Sequence, residues 1–249
     1  MAFSLLNESF PAVIAHRGLS AKFPENSLEA FAAAVDCGAD EIELDVRLTR
    51  DGEMIVSHDN RLDRITEAPD GLTVDGCDLE YLLSLNTGFR RGMKARFCLP
   101  REVFSLFGGK IIFNLHLKTA GPDDVIVRRL SNLIREYRVE DYVYFAGSPR
   151  ELERMKAAAP QVRRCAIQLP RDTLDVVDSA GIYGCFRAQL WSGLYTAETV
   201  ERLHAEGIGV NLFHAETPDE YRAAAAEGID AILSNNADLA VGYFGRKNP

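Results

Sequence analysis

Residues 14–59 decide the fold of this chain. The stretch opens with IAHRG (14–18), continues through GADEIELDVRLTRDG (38–52) and closes with MIVSHD (54–59). Asp51-Gly52 predicts a tight hairpin turn, because this dipeptide tolerates the positive φ angles that such turns need. The run after the turn then folds back antiparallel to the run before it, which returns His58 and Asp59 towards the preceding strand.

The run EIELDV (41–46) has the alternation of a strand. Its apolar face carries Ile42, Leu44 and Val46, and its polar face carries Glu41, Glu43, Asp45 and Arg47. Glu43 and Asp45 therefore point the same way, about 6–7 Å apart along the strand. A divalent cation would relieve their repulsion, and carboxylate oxygens suit Mg²⁺, Ca²⁺ or Mn²⁺. The alternative is a solvated strand face flanked by basic residues.

Two histidines are expected near this acidic pair. AVIA (12–15) predicts a short buried strand that ends at His16-Arg17-Gly18. Chemistry collects at the C-terminal ends of the strands in parallel α/β barrels. A lone histidine at a strand end is usually structural, but His16 and His58 are both predicted to approach one acidic pair. Together they favour a catalytic site.

These motifs resemble the two signatures of the glycerophosphodiester phosphodiesterase family. HRGLSAKFPENS (16–27) is similar to the first signature and GADEIELDVRLTRDGEMIVSHD (38–59) to the second. The resemblance is most specific over residues 14–66 and continues collinearly to the end of the chain. It implies a metal-dependent enzyme of lipid metabolism that hydrolyses a glycerophosphodiester to sn-glycerol 3-phosphate and an alcohol.

The resemblance also implies roles for single residues. His16 and His58 would share general acid–base catalysis. One divalent metal ion would be held by Glu43, Asp45 and His116. The phosphate and the substrate would be bound or supported by Arg17, Lys118, Glu25 and Phe213, with Glu25 orienting a histidine or a metal-bound water.

His116 is the main departure from the family pattern. The family has a glutamate two residues before its lysine, whereas His116 precedes Lys118 here. Because imidazole is neutral and softer than carboxylate, Zn²⁺ or another late transition metal becomes possible beside Mg²⁺, Ca²⁺ and Mn²⁺. Metal binding is then expected to weaken as the pH falls through the histidine range. Alternatively, His116 does not ligate, and a water or Glu216 fills the position.

The chain as a whole predicts an α/β fold. Its 249 residues suit one (β/α)8 TIM barrel, which typically needs about 250. We expect a single domain over 1–249, with a β-hairpin extension and a small insertion of about 60–105 after the second strand. The later strands are predicted to centre on 143–145, 164–167, 182–186, 209–213 and 231–233.

Composition limits the partners and the location. A net charge of −9 argues against a general nucleic-acid binder and leaves a small phosphodiester as the expected partner. The five scattered cysteines indicate reduced thiols. No signal peptide is evident and no apolar run approaches the ~20 residues of a membrane span. These features predict a cytoplasmic protein without integral membrane association.

Two other functions stay open at this point. A related barrel phosphodiesterase could act on a lysophospholipid or a sugar phosphodiester, because positions such as Phe213 and Ser234-Asn235 differ from the family pattern. A phosphodiester-binding protein with decayed catalysis is the second alternative. The presence of two acid–base histidines favours an enzyme over a binder.

Overall fold

Nine strands form one sheet that closes on itself. The computed structural model describes residues 11–118, 124–169 and 174–245. In this part of the chain the strands are β1 (Ala12–His16), β2 (Glu41–Leu48), β3 (Met54–Val56), β4 (Ile112–Leu117), β5 (Val143–Gly147), β6 (Arg163–Ile167), β7 (Arg187–Trp191), β8 (Gly209–Phe213) and β9 (Ala231–Ser234). All except β3 are parallel to their neighbours, and β1 pairs with both β2 and β9. The predicted (β/α)8 barrel is therefore confirmed.

The register of the strands brings the site residues to one end of the barrel. His16 lies beside Glu43 in the β1–β2 pair. Asp45 lies beside His116 in the β2–β4 pair. Since parallel strands end at the same mouth, the motifs of the first quarter of the chain and the distant β4 meet there.

The predicted hairpin is present. β3 is antiparallel to β2, with Val46 opposite Val56. Gly52 has a φ of +80° in the turn, a conformation that glycine adopts without steric cost. The hairpin extends one barrel strand and leads the chain back to His58.

Helices surround the barrel. Those in the described residues are α1 (Leu28–Asp36), α2 (Leu79–Ser84), α3 (Pro100–Phe107), α4 (Val125–Glu136), α5 (Pro149–Ala158), α6 (Val176–Tyr183), α7 (Ala197–Ala205), α8 (Pro218–Ala226) and α9 (Ala237–Tyr243). The main core lies between these helices and the outward faces of the strands. No helix in the ranges that the structure describes has the length and apolar character to cross a membrane.

The prediction of a strand at 182–186 was wrong. Residues 182–186 do not form a strand: α6 continues to Tyr183, and Gly184 ends it with a φ of +62°. The strand is β7, five residues further on, where Arg187 and Gln189 are buried. The apolar pattern does not mark β7 because the buried face of this strand is polar: Nη1 of Arg187 lies 2.6 Å from Oε1 of the equally buried Glu41. An apolar pattern cannot reveal a strand whose inward side chains are neutralised by partners elsewhere in the barrel.

The segment between β3 and β4 has a small core of its own. Leu62, Val74, Leu82 and Phe97 are buried together against Ile55 of β3. The predicted insertion of about 60–105 includes α2 and the first turns of α3. Because α3 packs against α1 and β3, its residues belong to the helical layer of the barrel.

Candidate active site

Three potential metal ligands converge at the mouth of the barrel. Nδ1 of His116 lies 3.9 Å from Oε1 of Glu43 and 3.6 Å from Oδ1 of Asp45. One ligand atom from each residue lies within 4.8 Å of the others. Glu43 and Asp45 are almost completely buried, so the cluster could hold a single metal ion.

The charges of the cluster fit a cation. Burial and the neighbouring charge of Asp45 raise the pKa of Glu43 to about 8. Burial would also raise the pKa of Asp45, but the positive charges of Lys118 and Arg17 hold it well below its usual range. Oδ1 of Asp45 accepts no hydrogen bond from the described residues. A divalent cation would satisfy this oxygen and allow both buried carboxylates to ionise.

His116 is neutral in this environment. Burial and the charge of Lys118 lower its pKa to about 3. The expectation that His116 protonation weakens metal binding in the ordinary histidine range therefore needs correction. The proton that competes with a metal at neutral pH lies on Glu43.

Two cations flank the carboxylates. The backbone N–H of Arg17 donates to Oε2 of Glu43 at 3.0 Å, and Nε of Arg17 lies 3.6 Å from Oδ2 of Asp45. Arg17 adopts a φ of +56°, a region that is costly for residues other than glycine and that is found at functional sites. Nζ of Lys118 lies 3.3 Å from Oδ1 of Asp45 and 3.0 Å from Nδ1 of His116.

His16 is buried at the end of β1. Its Nδ1 lies 2.8 Å from Oδ1 of Asn235, and its Nε2 lies 3.9 Å from Oε2 of Glu43. Burial and Arg17 lower the pKa of His16 to about 4. The ring of Phe213 meets the His16 ring edge-on, 4.9 Å between centroids. Donation from Nδ1 to Asn235 leaves Nε2 of a neutral imidazole facing the site.

His58 has a carboxylate partner. Its Nδ1 lies 2.6 Å from Oδ1 of Asp59. Arg47 holds the His58 carbonyl oxygen with Nε at 2.9 Å and Nη2 at 2.6 Å. Burial lowers the pKa of His58, while Asp45 and Asp59 act in the opposite direction. A cleft of about 480 Å³ opens beside His58 and Lys118, which gives a ligand access to this side of the site.

Two glutamates contact residues other than those we expected. Nη1 of Arg17 donates to Oε1 of Glu25 at 2.9 Å, and Arg64 binds the same carboxylate. Among the described residues, Glu25 thus forms hydrogen bonds with Arg17 and Arg64, and none joins it to a histidine. The carboxylate of Glu216 accepts hydrogen bonds from Ser234 at the end of β9 and from Asn235 and Asn236 after it. Glu216 supports Asn235 and does not belong to the cluster around Glu43.

Four residues that contact the site were given no role in it from the sequence: Asn26, Asp59, Arg64 and Asn235. Asn26 directly precedes the cap of α1, which is Ser27, whose side chain accepts from the backbone N–H of Ala30. Asn26 donates from Nδ2 to Oδ2 of Asp45 at 2.9 Å, with a φ of +55°. Its position within the first signature was the available signal.

Known proteins resemble this chain over nearly its whole length. The sequence model of the glycerophosphoryl diester phosphodiesterase family matches residues 16–239. A glycerophosphodiester phosphodiesterase of Caldanaerobacter subterraneus is 38% identical over 92% of this chain and 96% of its own length. YhdW of Bacillus subtilis is 49% identical over 92% of this chain and 96% of its own. A phosphodiesterase structure from Oleispira antarctica, in complex with the product sn-glycerol-3-phosphate, superposes with a TM-score of 0.86 at 24% identity, covering 98% and 99% of the two chains.

Proposed function

The chain belongs to the glycerophosphoryl diester phosphodiesterase family, and we propose that it hydrolyses glycerophosphodiesters to sn-glycerol 3-phosphate and an alcohol. The observation that carries the proposal is the cluster of Glu43, Asp45 and His116, which has His16 beside Glu43 and His58 within the electrostatic influence of Asp45. A metal site with a proton donor and a proton acceptor beside it matches the needs of phosphodiester hydrolysis.

One divalent metal ion would bind Glu43, Asp45 and Nδ1 of His116. When bound, it would withdraw charge from a non-bridging phosphate oxygen as negative charge develops. Mg²⁺, Ca²⁺ and Mn²⁺ suit the carboxylates, and the imidazole favours Mn²⁺ or Zn²⁺ over the first two. Nζ of Lys118 lies 3.0 Å from Nδ1 of His116, so Lys118 would stand beside the metal position, where it could also contact the phosphate.

Arg17 and Lys118 would bind the phosphate. Their positive charges lie on two sides of Asp45. The Arg17 guanidinium is held by Glu25, which limits its freedom before the substrate arrives. A fixed guanidinium and a mobile ammonium together suit a tetrahedral group whose charge is redistributed during the reaction.

The two histidines would divide proton transfer. His16 is neutral, its Nδ1 bonds to an amide, and its free Nε2 suits a proton acceptor. The carboxylate of Asp59 orients the His58 ring through Nδ1. Burial lowers the pKa of His58, so a proton held on this ring would pass readily to the departing alcohol. The open cleft beside His58 gives that alcohol a route to solvent, and Phe213 forms the apolar wall behind His16.

The proposal is tested by measuring sn-glycerol 3-phosphate release. Purified protein, stripped of metal and reloaded with each of Mg²⁺, Ca²⁺, Mn²⁺ and Zn²⁺, is incubated with glycerophosphocholine and glycerophosphoethanolamine. Metal-dependent release supports the proposal. Binding of these diesters without turnover would indicate a binding protein. Turnover restricted to lysophospholipids or sugar phosphodiesters would indicate the related phosphodiesterase instead.

A further inference from the structure

Arg64 links the two sides of the site. Its Nε donates to Oδ2 of Asp59, while Nη1 and Nη2 donate to the two oxygens of Glu25 at 2.8 and 2.6 Å. Asp59 contacts His58, and Glu25 contacts Arg17. A continuous series of hydrogen bonds therefore connects the ring of His58 to the guanidinium of Arg17.

The geometry requires an arginine. A guanidinium presents its donors in a rigid planar fork, so one side chain can bind two carboxylates in fixed directions. Lysine has one compact charge on a flexible stem and could bind Asp59 or Glu25, but could not orient both. Without a cation between them, Asp59 and Glu25 would also repel each other.

Arg64 helps to keep the Asp59 carboxylate ionised, so that Asp59 can accept a hydrogen bond from His58. Burial would raise the pKa of Asp59, but the hydrogen bonds from Arg64 and His58 hold it below its usual value. An ionised Asp59 accepts the Nδ1 proton of His58 and leaves Nε2 as the nitrogen free for proton transfer. The backbone of His58 is held separately by Arg47, so ring orientation depends mainly on Asp59.

We propose that Arg64 is a positioning residue that binds Asp59 and Glu25 together, and thereby fixes the tautomer of His58 and the placement of Arg17. The inference rests on the proposed roles of His58 in proton transfer and of Arg17 in phosphate binding. It assigns to the segment after β3 a part in positioning, since Arg64 aligns Asp59 of this segment with Glu25 of the loop after β1.

The test compares Arg64→Ala and Arg64→Lys with Arg50→Ala. Arg50 is a matched control, because it is exposed and forms a similar fork with one carboxylate, Asp78. The direct readout is the ¹⁵N NMR spectrum of the His58 ring, which distinguishes a proton on Nδ1 from one on Nε2. The second readout is kcat, KM and the pH profile of glycerophosphodiester turnover.

We expect both Arg64 variants to lose the pure Nδ1–H tautomer of His58. Arg64→Ala should lower kcat by about tenfold to a hundredfold, the scale of small misplacements of catalytic groups, and should raise KM because Arg17 is released. Arg64→Lys should show a smaller loss. The apparent pKa of His58 in the pH profile should shift in both variants. The charges of Asp45, Lys118 and Arg17 would still act on His58, but Asp59 would no longer be fixed beside it. Arg50→Ala should match the wild type.

The proposal is overturned if either folded Arg64 variant keeps the wild-type His58 tautomer, kcat and pH profile. Folding is checked by circular dichroism and thermal unfolding. If the wild type itself hydrolyses no glycerophosphodiester, the proposed function fails. The tautomer spectra then still decide whether Arg64 positions His58.

Discussion

His116 is the proposed ligand in which this site departs from the family pattern. Its imidazole stands where the resemblance implies a carboxylate, and it is neutral because burial and Lys118 lower its pKa to about 3. The cluster thus has one negative charge fewer than a set of three carboxylates. Hard cations, which are held mainly by charge, lose more from this replacement than late transition metals.

The metal preference should follow residue 116. The metal-free wild type should recover more activity with Mn²⁺, Co²⁺ or Zn²⁺ than with Mg²⁺ or Ca²⁺ at equal concentration. His116→Glu should shift the preference towards Mg²⁺ or Ca²⁺, and His116→Ala should bind metal weakly. The measurement is metal titration of the three proteins, followed by activity and by thermal shift. Equal Mg²⁺ dependence in the wild type and His116→Ala would show that His116 is not a ligand.

Both histidines proposed for proton transfer should be needed for turnover. His16→Ala and His58→Ala should each lower kcat by about 10²–10⁴, the usual contribution of general acid–base catalysis, while metal content stays unchanged. His204→Ala is the control, because His204 is exposed and pairs with Asp230. The measurement is kcat from steady-state kinetics with a glycerophosphodiester as substrate. Wild-type kcat in either variant would remove that histidine from the mechanism.

At the scale of elements, the loop after β9 is held by a residue from the loop after β8. Glu216 accepts hydrogen bonds from backbone and side-chain donors of Asn235 and Asn236, including 2.6 Å from Nδ2 of Asn235. Asn235 in turn orients His16. The ends of two neighbouring strands are therefore coupled to the histidine at the end of β1.

Removing the Glu216 carboxylate should lower both the stability of the fold and the rate of catalysis. Glu216→Ala leaves several partly buried donors without a partner, so the free energy of unfolding should fall by about 1–3 kcal/mol. kcat should fall about tenfold or more, because His16 loses its fixed orientation. Urea unfolding and kinetics measure the two effects. Glu102→Ala is the comparison, since Glu102 caps α3 and pairs with Arg96; an equal loss of kcat there would contradict the coupling through Asn235.

At the scale of the whole molecule, the stability of the metal-free protein should depend on Glu43. Its folded pKa of about 8 lies above the usual 4.5, so the native state keeps a proton that the unfolded chain releases. The stability that this bound proton contributes is fully present below pH 4.5 and is lost as the pH rises through about 8. His16 acts in the opposite sense, but only below its usual pKa of 6.5. Glu43 therefore dominates between pH 6.5 and 8.

In that range the unfolding free energy of the metal-free wild type should fall by at most about 1.4 kcal/mol per pH unit. Glu43→Gln cannot lose the proton and should lack this slope. Added divalent metal should remove the slope from the wild type, because a cation takes the place of the proton. Urea unfolding at pH 6.5 and pH 8 in EDTA, with and without excess metal, measures these effects. Parallel slopes for the wild type and Glu43→Gln in EDTA would exclude Glu43 as the source.

The sequence by itself determined the barrel, the hairpin and most members of the site. Strand alternation placed Glu43 and Asp45 on one face, and the strand containing His116 and Lys118 could be recognised because its polar residues alternate in the same way. These features are local: they follow from the period of a strand and from the residues that permit a turn. Local rules therefore predicted which of these residues lie together, and the family resemblance supplied their proposed roles.

Only the tertiary structure decided which groups hold these residues in place. Arg187 can be buried on β7 because Glu41, from across the barrel, neutralises its charge. This partner is not visible in the sequence, which predicted the strand at 182–186. Asn235, Arg64 and Glu216 act through partners that lie far away in sequence, such as His16 for Asn235 and Glu25 for Arg64. Burial, which moves the pKa of Glu43 up to about 8 and that of His116 down to about 3, likewise depends on the closed barrel. A sequence pattern records which face a side chain takes, whereas its partners and its electrostatic environment exist only once distant strands have come together.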